Sequence, residues 1–142
     1  MLRERIACAY PGRRKVGLSL WLVEDQTIVE TAVGSVETSA VGGVLERFHP
    51  DLLVVEPGRP GDVRPASFRA SARDFTFIHP SWRSERRRQP LGPVGHLAQN
   101  AWRMGFWHLI RRGKYRIGVL RIRALTREWL TKNDRPRRTR ES

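Results

Sequence analysis

The chain has 142 residues, enough for one domain with a buried core and too few for two of ordinary size. Lysine and arginine total 27 against 14 aspartates and glutamates, a formal net charge of +13. That excess points to a polyanionic partner, nucleic acid before an anionic membrane, although a genome biased toward GC-rich codons supplies part of the same arginine surplus. The one cysteine, Cys8, excludes a disulfide framework and a cysteine-built zinc site. No apolar run approaches the length of a membrane span, and Met-Leu-Arg-Glu-Arg at the start has no apolar signal core. A cytoplasmic protein without a membrane partner is therefore expected.

Ile6 to Tyr10 is a short, mainly apolar run closed by Pro11-Gly12, which reads as a first strand and a tight turn. Arg13, Arg14 and Lys15 follow as a basic corner. From Val16 to Val23 the chain alternates, with Val16, Leu18, Leu20 and Leu22 on one face and Gly17, Ser19, Trp21 and Val23 on the other. Such period-two contrast predicts a strand. Asp25-Gln26 is a turn, and the β-branched stretch Thr27 to Val33 predicts an antiparallel partner. Val36, Ala40, Val44 and Phe48 recur every four residues, with Val41 and Leu45 beside them, which predicts a helix over about 35–49 ended by Pro50. Leu52-Leu53-Val54-Val55 is uniformly apolar and reads as a strand buried on both faces, with Glu56 at its end. Strand ends at the carboxyl edge of an α/β sheet are where such folds place their chemistry.

From about 58 to 93 the periodicity disappears. Prolines, glycines and arginines predict an irregular basic insertion, with Arg83, Arg86, Arg87 and Arg88 as its most basic part. Phe68, Phe75, Phe77 and Trp82 are interleaved with these arginines. That mixture suits contact with nucleic-acid backbone and unstacked bases, and it equally suits aromatics that dock the insertion on the domain. Leu97, Ala98, Ala101, Trp102, Gly105, Phe106, Leu109 and Ile110 predict a second helix over about 95–112, which ends with Arg111, Arg112 and Gly113. Lys114 to Arg123 predicts another strand, carrying Lys114 and Arg116. A short helix over 124–130 follows, and residues 134–142 form a basic, proline-broken tail expected to be disordered. One domain over 1–133 accounts for the rest.

Three strands in a meander, then helix, strand, helix, strand and helix, is the element order of the ribonuclease H-like fold, an α/β class built on a mixed sheet. Within that order, Cys8-Ala9-Tyr10-Pro11-Gly12-Arg13-Arg14-Lys15-Val16-Gly17 resembles the first motif of RuvC-like Holliday junction resolvases. Pro50 to Glu56 resembles their second motif, and Leu125-Thr126-Arg127-Glu128-Trp129-Leu130-Thr131 resembles a later segment of their phage-like branch. The resemblance spans roughly residues 5 to 133. It implies metal-dependent endonuclease chemistry on branched DNA, in which two Mg²⁺ about 4 Å apart activate water and stabilise the leaving oxygen. Hard cations of this kind are held by converging carboxylates. Of the catalytic and metal-binding carboxylates that the resemblance implies, only Glu56 is present. Tyr10 stands where the family has its first Asp, and the chain ends before the helix that carries the last acids. An unusual arrangement using Asp51, Asp62 or Asp74 stays open.

The resemblance therefore implies a nucleic-acid binder whose catalysis is weak or lost. Branched DNA is the favoured partner, Arg13, Arg14, Lys15, Arg83, Arg86, Arg87, Arg88, Arg111, Arg112, Lys114 and Arg116 are its candidate contacts, and Mg²⁺ is the cofactor if activity survives. Structured RNA is an alternative substrate, a non-enzymatic scaffold in a nucleoprotein assembly is an alternative role, and a truncated product without a function of its own is a third. A protein acting on a two-fold junction leaves homodimerisation through the Trp102–Ile110 helix open, although core burial is the favoured use of that helix.

Overall fold

A computed structural model describes residues 2–57, 72–86 and 95–135 of the chain. Strands β1 (Arg3–Pro11), β2 (Lys15–Glu24) and β3 (Thr27–Glu37) form the expected antiparallel meander. The β2–β3 turn is a two-residue loop in which Asp25 (φ 48°) and Gln26 (φ 68°) both take left-handed backbone, the geometry that follows the natural twist of a hairpin. The Asp25 carboxylate accepts from the Leu2 N–H at 2.8 Å and holds the turn to the chain start. Helix α1 (Thr38–Phe48) ends at a left-handed His49, whose N–H returns to the Leu45 carbonyl at 2.7 Å. Pro50 then prevents continuation.

β4 (Leu52–Val55) lies parallel to β1, β5 (Asp74–Phe77) parallel to β4, and β6 (Arg116–Ala124) parallel to β3. The result is one mixed six-stranded sheet in the order β5-β4-β1-β2-β3-β6, with β2 the strand that runs against the others. The chain is thus α/β with helices on both faces. Helices α1 and α3 (Arg127–Lys132) cover one face over Ala7, Ala9, Val16, Leu18, Leu20, Leu53 and Val55. Helix α2 (His96–Phe106) and the π-helical turn Trp107–Arg111 cover the other, over Ile6, Cys8, Trp21, Val23 and Val54. Two covered faces explain why β1 and β4 read as continuous apolar runs. They also explain why both faces of the β2 alternation are buried.

Small residues let α2 lie close on β2. A Cβ on Gly17 would fall 2.0 Å from the Leu97 carbonyl oxygen, and one on Gly105 would fall 2.5 Å from the Trp21 ring nitrogen. Between them the Ser19 hydroxyl donates to the Ala101 carbonyl at 2.7 Å and accepts from the Trp21 indole N–H at 2.8 Å. A buried hydroxyl and a buried indole are thereby both satisfied. The outward residues of α2, Trp102 and Phe106, stack on each other at 5.3 Å and remain partly buried against the same core.

Three expectations need correction. The stretch 58–93 is not irregular throughout: β5 and a 3₁₀ helix (Pro80–Glu85) are built from it, and Trp82 is fully buried. The predicted 95–112 helix is α-helical only to Phe106, then widens to a π-helical turn. The tail is docked as far as Arg135, whose guanidinium lies 3.1 Å from Asp51 and whose N–H reaches the Arg47 carbonyl at 2.9 Å. Among the described residues, no helix is long and apolar enough to cross a membrane.

Candidate functional site

In the parallel β1–β4 ladder Ala9 pairs with Val55, and the Glu56 N–H continues the ladder to the Ala9 carbonyl at 3.1 Å. Tyr10 and Glu56 are therefore the next residues along each strand, side by side at the carboxyl end of the sheet. Both point to the α2 face, following the alternation of Cys8 and Val54. Sequence reasoning brought these two positions together, and the fold does so as well. Both are nearly inaccessible, at 8 % and 2 % exposure.

The 3₁₀ helix closes over them. Pro80 sits in its first turn, and the His79 side chain accepts from the Ser81 N–H at 3.1 Å as its cap. This fixes Trp82, whose indole N–H donates to one Glu56 oxygen. Arg83 approaches the other Glu56 oxygen at 3.3 Å, with half of its side chain in solvent. Tyr10 meets Trp82 edge-on at 6.0 Å and His96 edge-on at 5.9 Å, and Arg86 Nη1 donates to its hydroxyl at 3.4 Å. A buried carboxylate, two aromatic rings, an imidazole and two guanidinium groups thus share one corner.

This donor set does not fit Mg²⁺. A hard cation of that size wants several oxygen ligands in near-octahedral array. Here the one carboxylate is committed to an indole N–H and a guanidinium, and the neighbouring oxygen is a phenol facing a second guanidinium. Among the described residues, no group of three or more His, Cys, Asp or Glu side chains could hold a metal ion. The alternative acids are also misplaced. Asp51 precedes β4 and Asp74 pairs opposite Leu52, so both lie at the amino end of these strands. Five residue steps along the strand separate Asp51 from Glu56, about 16 Å at the usual rise. Asp51 is further occupied by the Arg5 N–H at 2.8 Å and by Arg135. Asp62 lies outside the described residues.

The expected nucleic-acid contacts divide into groups. Arg13 and Arg14 are exposed in the β1–β2 turn and Lys15 is exposed at the start of β2, at the same sheet end as Tyr10, Glu56, Arg83 and Arg86. Arg111, Arg112 and Lys114 belong to the π-helical turn and the segment after it. Arg111 pairs with Glu85 at 3.3 Å and Arg112 lies over the Trp107 ring at 5.4 Å. Arg116 opens β6 at the opposite end, beside Thr27. Arg87 and Arg88 lie outside the described residues. Two features escaped sequence reasoning: Trp82 as the partner of Glu56, and the pairing of His108 with Lys114 at 3.1 Å. The Pro-Ser-Trp-Arg-Ser-Glu segment, with proline at its start, carried a helix-start signal for the first. Cys8 is fully buried, which pushes its thiol up to about 12 and leaves it unreactive.

No protein-family model, curated protein or solved structure matches the chain.

Proposed function

We propose that the chain is a RuvC-like protein of ribonuclease H-like fold that binds branched or structured DNA through its arginines and has lost metal-dependent cleavage. The observation that carries this reading is the pairing of Glu56 with Arg83 rather than with a second carboxylate. It lies at the corner where the resemblance implies a metal pair. A guanidinium on the one acid, and another on the Tyr10 hydroxyl, supply positive charge without a metal ion. Such forks suit phosphate oxygens. Support also comes from the meander followed by helix and parallel strand, and from the exposed Arg13-Arg14-Lys15 turn at the same sheet end.

The test is binding of purified protein to a four-way junction, a linear duplex and a structured RNA. The reading expects junction preference, an unchanged affinity with and without Mg²⁺, and weaker binding for Arg83→Gln and Arg86→Gln. Equal affinity for all three nucleic acids removes the junction preference. The scaffold alternative is favoured by the spread of exposed basic residues over both sheet ends. It predicts steep salt dependence, no metal effect and no preference for branching.

A further inference from the structure

A pocket of about 650 Å³ lies between the end of β5 and the π-helical turn, lined by Phe77, His79, His108, Arg112 and Lys114 among others. No carboxylate lines it among the described residues. The π-helical turn is what builds it. Widening the helix by one residue per turn interrupts regular spacing, and such turns occur often at functional sites. Here it carries His108 inward, to 3 % exposure, and leaves Arg112 and Lys114 at the surface.

Lys114 Nζ lies 3.1 Å from His108 Nε2. An ammonium has only hydrogens to give, so Nε2 is the acceptor and the ring hydrogen sits on Nδ1. The lysine is therefore positioned by a neutral group. Burial, with Lys114 and Arg112 nearby, pushes His108 down to about 4, so the ring stays neutral near pH 7. Burial and then Arg112 lower Lys114 as well. Two cations thus face one pocket, and among the described residues neither pairs with a carboxylate. An oxyanion would relieve that repulsion. Two rings line the rest of the wall beside Leu52, Pro57, Thr76, Ile78 and Pro80: Phe77 is half exposed, and His79 stacks on Trp107 at 6.2 Å. The volume is that of a small-molecule site and exceeds what a lone phosphate fills.

We propose that this pocket binds a phosphorylated nucleoside, its phosphate between Arg112 and Lys114 and its base against Phe77 and His79. Arg112 and Lys114 are also expected nucleic-acid contacts, but the inference does not rest on junction preference: losing that preference leaves this pocket intact, and absence of saturable nucleotide binding leaves the junction reading intact. Calorimetry on the full chain, with inorganic phosphate, adenosine monophosphate and a short 5′-phosphorylated single strand as probes, tests it, alongside proton NMR of the imidazoles. Saturable binding of the monophosphate or the strand is expected, tighter than inorganic phosphate, with the His108 pKa moving up as the ligand offsets the two cations. Lys114→Met and Arg112→Met should each weaken binding by about tenfold or more, while Lys132→Met, a surface cation elsewhere, should not. Tighter binding of the monophosphate identifies a free nucleotide as the ligand, a preference for the strand identifies a nucleic-acid end, and equal affinity shows that the pocket reads only the terminal phosphorylated nucleoside. Absence of saturable binding, or an unchanged affinity in both folded Met variants, overturns the proposal.

Discussion

Replacing Glu56 with alanine should destabilise the fold through Trp82 far more than through Arg83. Glu56 is 2 % exposed, and its oxygens take the Trp82 indole N–H and the Arg83 guanidinium. Deleting the acceptor strands a buried indole N–H, at a cost of about 1–3 kcal/mol. The Arg83 pair adds only about 0–1 kcal/mol, because half of that side chain is in solvent. Removing a buried charge works in the opposite direction, since its own desolvation opposed folding. The expected net loss is about 2 kcal/mol, or a Tm lower by roughly 4–8 °C for a chain near this size. Trp82→Phe removes the donor and should cost a similar amount plus packing. Urea unfolding of both single variants and the double variant measures the coupling directly. The double variant should be less destabilised than the sum of the singles by about 1–3 kcal/mol. Additivity within about 0.5 kcal/mol would show that the indole and the carboxylate do not hold each other.

Gly105→Ala should lower stability by roughly 1–3 kcal/mol, because its Cβ would press on the Trp21 ring. Gly42→Ala faces open space inside α1 and should raise stability by about 1 kcal/mol, so thermal melts that rank these two in reverse contradict the α2–β2 packing. His108 is held below its ordinary 6.5, at about 4. The unfolded chain therefore binds a proton more readily than the folded one, and the stability contribution, full above pH 6.5, is lost as pH falls toward 4. His108→Gln should flatten the stability–pH curve across that window, and an unchanged slope would show that another group causes it.

The long alternating or periodic segments were legible because both covered faces of the sheet impose a pattern: β2, α1 and β4 fall close to where the sequence puts them. β5 was not, for a physical reason. Asp74-Phe75-Thr76-Phe77 is four residues at a sheet edge, too short for its alternation to stand out among prolines and arginines. The π-helical turn leaves no mark in composition, since it changes backbone register and not residue type. Glu56 was visible as a lone acid at a strand end, and so was Tyr10 at the position where the resemblance implies a second acid. What the acid touches was not, because Trp82 and Arg83 lie 26 and 27 residues further along the chain. Asp51 looked like a spare ligand until the strand direction put it at the other end of β4.

The most direct measurement is a labelled four-way junction incubated with the purified chain, with and without Mg²⁺, reading mobility shift and strand cleavage on the same samples. Binding without cleavage, equal in both conditions and weakened by Arg83→Gln, is the predicted result. Mg²⁺-dependent cleavage abolished by Glu56→Ala would contradict the account, because it would mean that Glu56 leaves Trp82 and Arg83 to serve a metal.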